Sequence, residues 1–130
     1  MDERRGFHRL GLQGLLLVTA GAVAAGVHAG LAPEHLDEWP PLGASFVAAA
    51  AVTGVAVAAV AVWPAAAWPV RVLAFVLAGL VVAYVLTRLV ALPPLDPERE
   101  EIDSIGLLTL VVEMAGMVAA LGFLRQGGIR

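Results

Sequence analysis

Four apolar runs, at residues 10–31, 42–63, 70–92 and 104–124, fill most of this 130-residue chain and leave only short polar connections between them. A helix needs about 20 mostly apolar residues to cross the hydrocarbon core of a bilayer. In that medium backbone polar groups must be satisfied inside the segment, which leaves the α-helix as the structure for runs of this kind. The runs are built from Ala, Val, Leu and Gly, of which the small Ala and Gly let helices approach closely in lipid. The expected fold is therefore all-α: a four-helix transmembrane bundle, up-down-up-down, in a single membrane domain covering residues 1–130.

The rest of the composition mostly excludes. There is no cysteine, so disulfides and thiolate metal sites are ruled out. There is no lysine either, and the eight basic residues are all arginine. A Lys-free chain rich in Ala, Gly, Val and Arg has the composition of a high-GC bacterial gene. With a net charge of −3 and no basic cluster, nucleic acid is not an expected partner. The implied partners are the lipid bilayer and a second copy or a larger membrane complex.

Arginine placement gives the orientation. Arg4, Arg5, Arg9, Arg71, Arg125 and Arg130 fall on one side, and Arg99 on the other with Arg88 just inside its end. The positive-inside rule then puts both termini in the cytoplasm and makes the chain a multi-pass protein of the cell (inner or plasma) membrane. A basic head, an apolar run and the small-residue site at Val27-His28-Ala29 also describe a cleaved signal over residues 1–29. The length of the run and the three spans that follow favour a retained first helix. Pro33 and the Pro40-Pro41 pair mark residues 32–41 as a turn. Trp39, Trp63 and Trp68 suit interfacial belts. Ser104, preceded by acids, reads as the cap of the fourth helix.

Glu113 is the one carboxylate inside an apolar run. Near mid-membrane a bare charge costs at least ~3 kcal/mol even on insertion scales. Candidates to answer it follow from periodicity. Gly14, Gly21, His28 and His35 are spaced by seven and share one helix face, and Tyr84 and Arg88, four apart, share another. Glu113 lies about 13 Å down its helix from Ser104 at 1.5 Å per residue, and Arg88 and His28 about 5 Å inside their own ends. The expectation is a buried polar cluster of His28, Tyr84, Arg88 and Glu113 in the outer half of the bundle, with Arg88 and Glu113 leaning together across Tyr84. Such a cluster either locks the helices together or forms a ligand or ion site.

A second constellation is His28, Glu34, His35 and Glu38. Imidazole with carboxylate suits Zn, Cu, Ni or Fe, and a metal site would use His28, His35 and Glu38. Solvated loop charge is the simpler account, since the spacing is not diagnostic. A metal would need both histidines and a carboxylate within ~5 Å of one point. A haem would need facing axial ligands, and among the runs only the first offers His. No catalytic triad, phosphate loop or nucleotide fingerprint is present, so no catalytic residue and no cofactor is assigned. The leading expectation is a non-enzymatic protein binding a ligand or ion, or an accessory subunit. The alternative is a membrane-embedded metal- or redox-handling enzyme using His28, His35 and Glu113.

Several short pieces carry a resemblance: His28, then Pro33-Glu34-His35-Leu36-Asp37-Glu38-Trp39, Gly43 and Phe46, then Tyr84-Val-Leu-Thr87-Arg88 with Leu92-Pro93, the acidic stretch to Gly106, and Glu113. In these the chain resembles small four-span bacterial (actinobacterial-type) integral membrane proteins of unknown function. That set typically has a His ending helix one, a Tyr-x-x-x-Arg before Leu-Pro, and a Glu inside helix four. A Gly often precedes the Leu-Pro, where Ala91 stands here. The resemblance implies that His28, Tyr84, Arg88 and Glu113 belong together, and it implies no particular chemistry.

Overall fold

A computed structural model describes residues 10–127, so Arg4, Arg5, Arg9 and Arg130 lie outside the described residues. Four helices follow one another: α1 Leu12–Glu38, α2 Pro40–Val62, α3 Ala67–Leu89 and α4 Ser104–Gly127. Each is long and apolar enough to cross a membrane, which makes this a four-span membrane protein. Among the described residues the only extended pairing is an isolated bridge between Leu92 and Asp96.

The helices form a closed square. α1 packs on α2 and α4, and α3 packs on the same two. One end of the bundle carries the α1–α2 corner and the α3–α4 loop. We call it the loop end, and the end holding the α2–α3 turn the terminal end. The outward faces are apolar, with Phe75 at 81% exposure, Leu12 at 72% and Val55 at 71%. That is the pattern of helices apolar all round, whose outer surface meets lipid.

Residues 32–41 correct the expectation of a turn. α1 runs through Pro33 to Glu38, and Trp39 alone separates it from α2. A proline inside a helix deletes one ladder bond, here to the carbonyl of Ala29, and its ring crowds the preceding turn. The loss falls next to Gly30, where Ala29 and Gly30 are both exposed and bring little bulk. Pro40 and Pro41 occupy the first two positions of α2, where a missing N–H would be unpaired anyway. Trp39 closes the end of α1 by donating its N–H to the His35 carbonyl at 2.8 Å. The corner is tight because position 43 is glycine: a Cβ there would run into the backbone of Leu36.

The apolar core sits toward the terminal end. Leu17 of α1, Val60 of α2, Leu73 and Leu77 of α3 and Ala120 of α4 are fully buried against one another. The loop-end half is built differently, from polar groups around an open interior.

Adding a methyl at Gly43 should force the corner apart and lower stability by about 1–3 kcal/mol. Thermal unfolding of Gly43→Ala in detergent checks this against Gly26→Ala, whose Cβ meets nothing within 4 Å and which should keep or raise the midpoint, since Ala favours a helix interior over Gly.

Candidate functional site

The site is built from the end of α3 outward. The last carbonyls of any helix lack intrahelical partners. Here the Thr87 carbonyl accepts the N–H of Glu100 at 2.8 Å, which folds the α3–α4 loop back onto α3. Thr87 Oγ1 donates to the Tyr84 carbonyl at 3.0 Å and accepts from Arg88 Nη1 at 2.8 Å. The Arg88 guanidinium lies over the Tyr84 ring, 3.8 Å from its centroid, a cation–π geometry. Its Nη2 pairs with Asp103 Oδ2 at 3.6 Å.

Asp103 therefore acts twice. Its other oxygen accepts the Gly106 N–H at 2.7 Å, and its carbonyl accepts that of Leu107. The N-cap of α4 is thus Asp103 rather than Ser104, because a carboxylate at 103 reaches the third N–H of the helix. Gly106 lets the two helices meet: a Cβ there would stand 2.7 Å from the Tyr84 ring and 3.2 Å from Arg88 Nη2. Seven residues on, in the same face of α4, comes Glu113.

A cavity of about 1030 Å³ opens at the loop end and reaches down to Glu113. His28, Tyr84, Arg88 and Glu113 all line it, as do His35 and Glu38. The pairing within this group differs from the expected one. Arg88 is turned to Asp103 at the mouth, and among the described residues Glu113 has neither an ion-pair nor a hydrogen-bond partner. Glu113 is nonetheless only 2% exposed. The shift has a simple cause: Asp103 lies at the level an arginine near the end of α3 reaches when it extends toward the surface, and the aromatic stack holds it there.

The histidines are held by α1 and by Phe46. His28 Nδ1 lies 2.8 Å from the Ala24 carbonyl, so it carries the proton and donates it, leaving Nε2 as the free ring nitrogen. Both imidazoles pack on Phe46, with centroids 5.3 Å and 4.2 Å away for His28 and His35. Their common face follows from the uninterrupted α1. His35 Nδ1 is 3.5 Å from Glu38 Oε2. Among the described residues no three His, Asp or Glu side chains are gathered as metal ligands, so His28, His35 and Glu38 do not form the proposed metal group.

Three further elements were not foreseen in the sequence. Asp103 is one, and its signal was present as an acid three positions before Gly106. Trp39 is another: its Nε1 donates to the Pro94 carbonyl at 2.8 Å, tying the α1–α2 corner to the long loop. The third is Asp96, 4% exposed, whose Oδ1 accepts the Glu98 N–H at 3.2 Å while Oδ2 has no hydrogen-bond partner among the described residues. Burial first, and then the neighbouring Asp96, holds the Glu100 carboxyl above the usual carboxylate range, against the opposing pull of His35 and Arg88. Tyr84 Oη and Arg88 Nε are buried and have no hydrogen-bond partner among the described residues.

Two outcomes follow from this arrangement. Asp103→Ala should lower stability by about 1–2 kcal/mol through loss of the cap and of the Arg88 counter-charge, whereas Asp103→Asn, which can still cap, should lose less. Melting curves of the two variants in detergent make the comparison. For Glu100 the raised carboxyl means that the folded state holds its proton more tightly than the unfolded state. The protein is then more stable below the ordinary value of 4.5 and loses that part as pH rises through the raised value. The melting midpoint of Glu100→Gln should fall less than that of the parent over this pH range. Comparison of the chain with known protein families, with curated proteins and with solved structures finds no match.

Proposed function

We propose that the chain is a binding protein of the cell membrane. Both termini lie in the cytoplasm, and the loop end faces outward with a small-ligand or ion site in the outer half of the bundle. The observation that carries this reading is Glu113, a buried carboxylate on the wall of a cavity and without a partner among the described residues. An ionisable group at that depth is expensive, and a protein that only needed to close its bundle gains more from an apolar residue there. The orientation rests on the arginine distribution, and the grouping of His28, Tyr84, Arg88 and Glu113 is also what the resemblance to small four-span bacterial proteins implies. The protein works alone, as an oligomer of itself, or as an accessory subunit of a larger membrane complex.

The structural-lock reading has its own support in Arg88, whose pairing with Asp103, the cap of α4, ties α3 to α4. It accounts for the mouth of the cavity and leaves Glu113 without a role.

Chemical modification tests the proposal. The full chain in lipid nanodiscs is treated with a water-soluble carbodiimide and an amine nucleophile, and the modified carboxylates are mapped by peptide mass spectrometry. Modification of Glu113 alongside the exposed Glu98 is the expected result. Labelling confined to the loop carboxylates, with Glu113 untouched, would show that the cavity does not deliver solutes to it.

A further inference from the structure

We infer that the ligand is a small organic cation, an ammonium carrying apolar substituents, seated with its charge against Glu113 and its substituents on the apolar walls. This rests on the reading of the cavity as the ligand site and goes beyond it by naming the class of ligand. Four observations lead to it.

The first is the balance of charge. Carboxylates from α1, from the α3–α4 loop and from α4 line the cavity, and among the described residues Arg88 and Arg99 are its only arginines. The chain has no lysine to add to them. An anion entering this space would meet acid at every level, and like charge costs more as the surroundings become less polar.

The second is that the nearest guanidinium is already used. Arg88 is held by the Asp103 carboxylate, by Thr87 Oγ1 and by the Tyr84 ring face. Bringing it to Glu113 would break all three contacts and uncover the cap of α4. His28 is no substitute, since its Nδ1 proton is given to Ala24 and the ring is packed on Phe46. When Glu113 is ionised, its counter-charge has to be brought in from outside the chain.

The third is the shape of the coordination. A bare metal cation needs several oxygen or nitrogen ligands at bonding distance, and among the described residues no such group of His, Asp or Glu exists. An ammonium needs one carboxylate and tolerant surroundings. The fourth is the wall. Leu31, Leu42, Phe46, Leu80 and Leu110 line the same cavity, and its volume of about 1030 Å³ suits an organic molecule rather than a single ion.

The experiment uses three probes that share one ring and differ in charge: benzyltrimethylammonium, benzyl alcohol and benzoate. Each is added to the full chain in nanodiscs before carbodiimide treatment. At ten times its Kd, benzyltrimethylammonium should slow modification of Glu113 about tenfold while Glu98 reacts as before, and the neutral and anionic probes should have no effect at either position. By titration calorimetry Glu113→Gln should weaken cation binding at least about tenfold, and Glu113→Asp, which keeps the charge, should retain saturable binding. Equal protection by benzoate or by benzyl alcohol overturns the inference, as does no protection by the ammonium. In each of those cases Glu113 is still modified in the absence of probe, so the cavity reading survives. No modification of Glu113 without any probe is the separate failure of that reading.

Discussion

A guanidinium at the edge of a bilayer has to be answered, and in this protein one loop carboxylate answers it. The Arg88–Asp103 pair decides more than its own surroundings. Asp103 also caps α4, so the pairing sets where that helix starts and therefore which of its residues face inward. Gly106 falls against Tyr84, and Glu113, on the same face, falls on the cavity wall. The loop between α3 and α4 is drawn back by the same geometry, with the Glu100 N–H on the Thr87 carbonyl and Pro94 under Trp39. Without an anion at 103 the arginine would need another partner.

The two halves of the bundle are packed on different terms. In lipid there is little hydrophobic drive between helices, and close contact of small side chains has to supply the association. The terminal half meets that demand with Leu17, Val60, Leu73, Leu77 and Ala120 in one dense cluster. The loop half is lined instead by aromatic and charged side chains around the cavity, and its helices meet at two glycines, Gly43 and Gly106. The dense apolar core and the cavity are thus assigned to opposite ends of the same four helices.

Much of this was legible in the residues themselves. Run length alone gave four spanning helices, and the seven-residue series Gly14, Gly21, His28 and His35 marked the inward face of α1, where all four prove shielded. Two things were not legible, for different reasons. Pro33 reads locally as a helix end, but its cost is tolerated where the neighbouring turn is small and exposed, and only the three-dimensional setting reveals that. The partner of Arg88 could not be chosen from spacing, since Asp103 and Glu113 are both acids on or beside α4 and differ in depth along it. Depth along a helix is readable, but the direction in which a long side chain bends is not. Glu113 itself was visible from the start; that it stands apart from Arg88 was not.

The continuation of α1 past Pro33 bears on where the entrance stands. Its 27 residues rise about 40 Å, against a hydrocarbon core of about 30 Å. The extra turns carry Glu34, His35, Asp37 and Glu38, so they stand in the headgroup layer with the acidic loop opposite. An entrance ringed by carboxylates at that height carries an ion atmosphere of its own, extending about 8 Å into a physiological salt solution. For the proposed cation this enriches the approach before any contact with Glu113 is made. Discrimination by charge then begins outside the membrane, as a matter of encounter rate, and fades as ionic strength rises.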